Sequence, residues 1–303
     1  MKSNYRYIVK AFMAMAVIAG TTSCDDFLDR EPMSSISPET YYSTAAQLEA
    51  NLNDEYPNVL PSFGQWTYGI FGEDKGTDNQ IEVNANDRYT QDRWKVPHSE
   101  SDNWKFERIY RINFFLSEAL PKFGEDMSGS QNTISGSVAT IKHYIGEMYF
   151  LRAYEYFKKL QLFGDFPIIN QPLADEMEAL REASKRFPRN EVARFIISDL
   201  DKAYAYMSDV DMATTRINKD VAMLVKSRVA LFEATWLQNF KGTAFVPGGE
   251  GWPGASLHNN YQYPSGNIDN EVKYFLEQAV EASKLVADKY KGSLTENTGD
   301  RKS

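Results

Sequence analysis

The sequence is poor in cysteine, in histidine and in positive charge, and each shortage excludes a class of function. One cysteine and three histidines occur among 303 residues, so neither a disulfide framework nor a cysteine- or histidine-rich metal centre is expected. Lysine and arginine total 33 against 42 aspartates and glutamates, a formal charge of −9. Because a phosphate backbone is bound by a basic face, no nucleic-acid partner is predicted.

Long apolar runs and catalytic motifs are also missing. No run of 18 apolar residues follows Gly20, so no transmembrane helix is expected beyond it. The patterns H-E-x-x-H, G-x-S-x-G and the phosphate loop do not occur. Residues 249–254 match G-x-G-x-x-G, but they follow a loop and include a proline, which predicts a loop and no dinucleotide site. The segment from Asp74 begins like a calcium loop, yet its twelfth position is Ala85. We therefore predict no enzyme activity, no metal and no cofactor.

The first 24 residues are typical of an exported lipoprotein. Lys2, Arg6 and Lys10 precede an uncharged stretch over residues 11–20, and ten helical residues span only about 15 Å, half a bilayer core. Small residues then lead to Cys24, whose lone thiol is explained if it carries lipid. We predict a signal peptide over residues 1–23 and an acidic, lipid-anchored tether over 24–43. An ordinary signal peptide with an incidental cysteine is the alternative.

Helical periodicity dominates the rest of the chain. Apolar residues three or four apart predict helices over residues 104–120, 141–162, 191–207, 220–237 and 271–290. Thr44 and Gln47 fit a capping box, Asn190 fits an N-cap, and Pro121 with Gly124 predicts a helix end. No matching set of strands appears, so the fold is predicted to be all-α. The helix lengths indicate tetratricopeptide-like helical hairpins; an irregular helical bundle remains the alternative.

Two long loops hold much of the aromatic excess, which is 14% of the chain. They run from about 57 to 102 and from 239 to 269, and loops this long are usually functional or disordered. Flat aromatic rings pack on the C–H faces of sugars while polar side chains bind hydroxyls. The candidate ligand-binding residues of these loops, which the resemblance described below assigns to glycan, are in chain order Trp66, Asp78, Arg88, Tyr89, Trp94, Trp252 and Tyr261, with Tyr263 beside the last. Alternatively, the aromatics pin the loops to the helices. Trp104 and Trp236 fall in helix patterns and are predicted to be core residues.

Three segments together resemble the SusD/RagB family of surface lipoproteins. The first is SCDDFLD at residues 23–29, similar to the family's lipobox and acidic tether. The second is YFLRAYEYF at 149–157 followed by LFGDFPII at 162–169. The third pairs IISDLD at 196–201 with KSRVAL at 226–231. Their order and spacing also agree with the family.

The resemblance implies a non-catalytic glycan-binding protein, lipid-anchored on the outer face of the outer membrane. It further implies a SusC-like TonB-dependent transporter as partner and tetratricopeptide-like helices that support binding loops. Residues 44–303 would be the nutrient-binding domain, C-terminally incomplete because family members usually continue well beyond this length. In the family the first long loop helps to form the glycan site, which makes Trp94, Trp66 and Asp78 the leading candidates. A secreted helical glycoside hydrolase, or a structural transporter adaptor for peptide or another nutrient, remains the alternative.

Overall fold

Seven α-helices form the regular structure of the residues that the computed structural model describes, which are 41–61, 80, 103–124, 126–208, 212–213 and 215–293. No strand occurs within these ranges, and the described residues from Tyr42 onward form one compact unit. The all-α prediction is therefore confirmed. None of the described helices is both long and apolar enough to span a bilayer. The helices are α1 (Ala45–Val59), α2 (Glu107–Phe123), α3 (Val138–Phe163), α4 (Met177–Ala183), α5 (Arg189–Tyr206), α6 (Lys219–Asn239) and α7 (Ile268–Tyr290).

Consecutive long helices pack against each other in antiparallel pairs. At one end of the α6/α7 pair, Lys289 donates to Asp220 at 2.7 Å, so the end of α7 lies beside the start of α6. Further along, the hydroxyl of Ser227 donates to the carbonyl oxygen of Ala279 at 3.0 Å. In the pairs α2/α3, α3/α5 and α5/α6 the two helices also run in opposite directions. These pairs confirm the predicted helical-hairpin arrangement.

Helix α3 is the centre of the packing, as its apolar residues on more than one face predict. It is 26 residues long, and most of its side chains are buried. Gly146 lets α5 approach closely, because a Cβ there would lie 2.8 Å from the backbone nitrogen of Met207 and 2.9 Å from the carbonyl oxygen of Ala203. A side chain at this position would therefore push the two helices apart.

A buried ion pair joins α3 to α5. Arg152 donates to both carboxylate oxygens of Asp199, at 2.6 and 2.9 Å, and both side chains are almost completely removed from solvent. A third donor of Arg152 binds the side-chain oxygen of Asn113 on α2 at 2.9 Å and the carbonyl oxygen of Asn170 at 3.1 Å. The guanidinium group therefore links three helices and the segment after α3. Such bidentate contacts compensate the desolvation of both charges.

Several helix ends differ from the sequence predictions. The capping box of Thr44 and Gln47 is confirmed at the start of α1. The N-cap prediction for Asn190 is wrong, because α5 starts after Pro188 and places Asn190 inside the helix. The buried side-chain amide of Asn190 instead donates to Tyr261 and Glu271, which are distant in sequence and therefore not part of a local capping pattern. Pro121 lies in the last turn of α2 instead of after it, and Gly124 with a φ of 102° ends the helix.

Two further boundaries were predicted wrongly. Helix α1 contains Pro57 and continues to Val59, so the first long loop begins later than expected. Trp104 precedes α2 instead of lying within it, and it is half-buried rather than a core residue. Its ring meets those of Phe163 and Phe166 edge-on, with 4.9 Å between centroids in both cases.

Replacing Asp199 by Asn should destabilise the fold strongly, because the substitution leaves the buried guanidinium of Arg152 without its counter-charge. Loss of one partner of such a pair costs about 3–5 kcal/mol. Urea denaturation of Asp199→Asn and of the parent chain measures this difference. Asp288→Asn is the matched control, because the exposed Asp288 pairs with Lys284 on the surface of α7. Equal denaturation midpoints for the two variants would contradict the role given to the pair.

Candidate functional site

A cleft of about 910 Å³ lies where the C-terminal end of α3, helix α4, the start of α5 and the loop after α6 meet. Exposed apolar side chains line it: Phe245 is 61% exposed, Leu162 57% and Leu257 53%. Cavities of this size that combine apolar walls with a few polar groups are typical ligand sites. The cleft is therefore the candidate functional site of the described residues.

Trp236 forms part of the lining and is fixed by two contacts. Its indole N–H donates to the carbonyl oxygen of Phe245 at 3.0 Å, and the guanidinium of Arg189 lies 4.0 Å from the ring centroid. Arg189 is itself held by a buried bidentate pair with Glu233, at 2.9 to 3.2 Å. The prediction that Trp236 is a core residue is therefore wrong: the ring is half-buried and faces the cleft, because the loop after α6 covers it only in part.

Trp252 anchors the glycine-rich loop to the end of α3. Only 5% of the residue is exposed, although it contributes to the lining of the cleft. Its indole N–H donates to one oxygen of Asp165 at 2.8 Å, and the other oxygen accepts the backbone N–H of Arg189 at 2.9 Å. Burial raises the pKa of the Asp165 carboxyl, and these two hydrogen bonds oppose that effect. Gly254 has to be a glycine here, because a Cβ would lie 2.2 Å from the Trp252 ring.

Tyr261 ties the same loop to α5 and α7. Its hydroxyl and the side-chain amide of Asn190 are hydrogen-bonded, with donor–acceptor distances of 2.9 and 3.1 Å. Asn190 also donates to the buried carboxylate of Glu271 at 3.0 Å. Tyr263 donates to the carbonyl oxygen of Pro247 at 2.7 Å, within the loop. These contacts match the alternative in which loop aromatics pin the loop; glycan binding by Trp252 and Tyr261 remains a prediction.

The other predicted positions cannot be placed against the cleft. Cys24 and the five first-loop candidates lie outside the described residues; those five are Trp66, Asp78, Arg88, Tyr89 and Trp94. Their roles therefore remain predictions. Within the described ranges, no group of three or more histidine, cysteine, aspartate or glutamate residues could hold a metal ion.

Sequence reasoning missed the basic residues of the cleft. Arg181, Lys185, Arg186 and Arg189 line it, whereas Asp165 is the one acidic residue among the described lining. They come from α4, the segment after it and the start of α5, a region without an aromatic or catalytic pattern. Local composition could have indicated these residues, because four of the nine residues over 181–189 are basic in a chain with an acidic excess.

Comparison with known proteins identifies SusD-like relatives. A family model described as "SusD-like_3: Starch-binding associating with outer membrane" matches residues 26–231. SusD-like protein P2 of Formosa agariphila is 25% identical over 253 residues, which cover 80% of this chain and 46% of that protein. SusD-like protein P25 of the same organism is 25% identical over 233 residues, covering 71% and 41%. The chain thus spans less than half the length of these curated relatives.

Solved structures of SusD-like proteins also align with parts of the chain. A SusD-like protein from Bacteroides fragilis matches with a TM-score of 0.48 and 20% identity over 70% of this chain and 39% of its own. A laminarin-binding SusD-like protein matches with a TM-score of 0.34 and 21% identity over 44% of this chain and 26% of its own. Both TM-scores lie below 0.5, and the family match over residues 26–231 stands without them.

The network around Tyr261 predicts a pH-dependent contribution to stability. Burial raises the pKa of the Glu271 carboxyl, but hydrogen bonds from Arg194, Asn190 and Ser265 outweigh it and hold the pKa below 4.5. A carboxyl whose pKa is depressed by folding stabilises the fold above its unfolded pKa and loses that contribution as pH falls through the folded pKa.

Glu271→Gln should therefore lower the free energy of unfolding by about 2 kcal/mol near neutral pH, and the deficit should shrink below about pH 4.5. Urea titrations of both proteins at several pH values measure the difference. Glu277→Gln is the control, since it makes the same chemical change at an exposed position of α7. A deficit for Glu271→Gln that is constant across this pH range would contradict the assignment.

Proposed function

The chain belongs to the SusD-like family, and from that we propose that it binds oligosaccharide or polysaccharide at the cell surface without cleaving it and delivers it to a partner TonB-dependent outer-membrane transporter. The observation that carries the proposal is the family match, which extends over residues 26–231. Binding rather than catalysis is the activity that the family's description names. The exposed aromatic cleft supplies a surface on which such binding can occur.

Phe245 and Trp236 are the groups of the cleft that suit a sugar ring. Phe245 is exposed, while Trp236 is held in one orientation by its bond to the Phe245 carbonyl and by the overlying Arg189. A pyranose ring buries its C–H face against such rings, and neighbouring polar side chains bind its hydroxyl groups. Because the Trp236 ring is held before the ligand arrives, it loses little conformational freedom on binding.

The polar groups of the cleft support a non-catalytic role. A glycosidase uses two carboxyl groups on either side of the scissile bond, about 5 to 10 Å apart. In the part of the cleft that the structure describes, Asp165 is the one carboxyl, and both of its oxygens accept hydrogen bonds from the protein. The hydrolase alternative therefore gains no support from this cleft.

The first long loop contributes a second group of glycan contacts in this proposal. Trp94, Trp66 and Asp78 lead that group, with Arg88 and Tyr89 beside them. Their residue types combine flat rings with carboxylate and guanidinium partners for hydroxyl groups. Cys24 carries the lipid that anchors the chain to the outer membrane, so that both groups of contacts are presented at the cell surface.

Phe245→Ala and Trp94→Ala should each weaken glycan binding about tenfold without unfolding the protein, because each removes one ring from contact with the sugar. Isothermal calorimetry of the purified chain against a broad panel of neutral and charged glycans measures the affinities. Leu285→Ala is the matched control for Phe245→Ala, since it truncates an exposed apolar side chain on α7; Leu285 is 50% exposed and Phe245 61%.

The panel also separates the alternatives. No binding to any glycan by a folded chain would count decisively against the proposal, and copurification with a transporter in that case would favour the structural adaptor. Release of shorter sugars from a bound glycan on long incubation would favour the hydrolase.

Cys24→Ser should release the protein from the membrane, because oxygen replaces the sulfur that carries the lipid. Fractionation of expressing cells, together with incorporation of a labelled fatty acid, measures anchoring. Ser23→Ala is the neighbouring control that keeps the thiol. Retention of the Cys24→Ser protein in the membrane fraction with unchanged labelling would show that the anchor lies elsewhere.

A further inference from the structure

The cleft has a charge opposite in sign to that of the whole chain. Its described lining has four basic side chains and a single acidic one, whereas the chain has a formal charge of −9. The basic residues are thus concentrated where the aromatic surface is. Such a local reversal favours a ligand that carries negative charge.

Most of the charges in the lining already have partners. Arg189 is neutralised by the buried Glu233, and Lys185 binds Glu182 at 2.6 and 2.8 Å. Both oxygens of Asp165 accept hydrogen bonds from within the protein, from the backbone N–H of Arg189 and from the indole of Trp252.

Arg181 and Arg186 are the two basic residues of the cleft lining that form no ion pair with a described residue. No carboxylate in the described ranges lies within ion-pair distance of either guanidinium, and both residues are exposed. The Arg186 guanidinium lies 4.6 Å from the centroid of the Trp104 ring. Stacking uses the face of the guanidinium and leaves the N–H donors at its edge available. The backbone of Arg186 is also held, because its carbonyl oxygen accepts a hydrogen bond from the ring Nε2 of His258 at 2.8 Å.

We propose that the cleft binds an anionic glycan, with a sugar carboxylate or sulfate group on Arg181 and Arg186 and a sugar ring on Phe245 and Trp236. This inference rests on the proposed glycan-binding function and names the class of sugar. A guanidinium matches the paired oxygens of a carboxylate or sulfate, which gives shorter and stronger hydrogen bonds than a neutral hydroxyl does. The chain's net negative charge repels anions in general, so the two arginines of the cleft lining supply a local attraction that the chain as a whole does not.

Calorimetry with matched glycans tests the proposal on the purified full chain. One pair is polygalacturonate and its carboxyl-reduced, neutral form; the other is chondroitin sulfate and its desulfated form. At least one anionic member should bind about tenfold or more tightly than its neutral counterpart, and the pair that responds distinguishes carboxylate from sulfate. Its affinity should fall as sodium chloride rises from about 0.05 to about 0.5 M, because exposed charges are screened.

Arg181→Gln with Arg186→Gln should remove about tenfold or more of the anionic affinity and leave neutral glycans unaffected. The control, Lys273→Gln with Lys284→Gln, changes the net charge equally at exposed positions of α7, where the side chains are 74% and 68% exposed. Arg181→Gln alone guards against misfolding, since it breaks no ion pair among the described residues.

The outcomes separate this inference from the proposed function. Equal losses for the α7 pair and the cleft pair would overturn the cleft assignment, because the attraction would then come from diffuse charge. Tight binding of neutral glycans alone would overturn the anionic class and leave the glycan-binding function standing. No binding to any glycan by a folded chain would overturn both. Selective loss of anionic affinity in the Arg181/Arg186 variant would support the inference.

Discussion

The pairing of buried arginines with carboxylates across antiparallel helices is the constraint on which the rest of this structure depends. Arg152 and Asp199 fix α3 against α5, and Arg189 and Glu233 fix the start of α5 against α6. A buried guanidinium tolerates few geometries, because all its N–H donors need acceptors. The helices are therefore held in one relative position, and the cleft at the ends of α3 and α5 inherits that fixed geometry.

The same residues connect the scaffold to the loop that completes the cleft. Arg189 pairs with Glu233 through its side chain, donates its backbone N–H to Asp165 and covers the ring of Trp236. Asp165 in turn holds Trp252, so the glycine-rich loop is bound to the ends of two helices. The aromatic side chains of the loop therefore take fixed positions in the cleft because the charged groups beneath them have hydrogen-bond partners.

Periodicity predicted the long helices well, because the helical pattern is local and repeats over many residues. Helix ends were less predictable where local rules competed with tertiary contacts. Asn190 has the chemistry of a cap, but its amide is occupied by Tyr261 and Glu271. Trp236 follows a core-like spacing, which indicates the packed face of a helix but not how much of it a distant loop leaves open. The basic side of the cleft was not predicted, because Arg181 and Arg186 line the same cleft as the aromatic rings only in the folded chain.

Trp252 and Phe245 lie in the same loop but differ in role: the first anchors the loop, and the second is exposed in the cleft. Trp252 is buried and bonded to the scaffold, whereas Phe245 is 61% exposed and joins the scaffold through its backbone carbonyl, which accepts the Trp236 indole. Among the described contacts, the Phe245 ring meets only that of Phe240, edge-on with 5.4 Å between centroids, whereas the hydrogen bond that holds this part of the loop uses the backbone. We expect substitutions at that position to alter ligand binding at the proposed site with little loss of stability. The specificity of the proposed site could therefore be altered at an exposed side chain, because the buried Trp252 keeps its hydrogen bond to the scaffold.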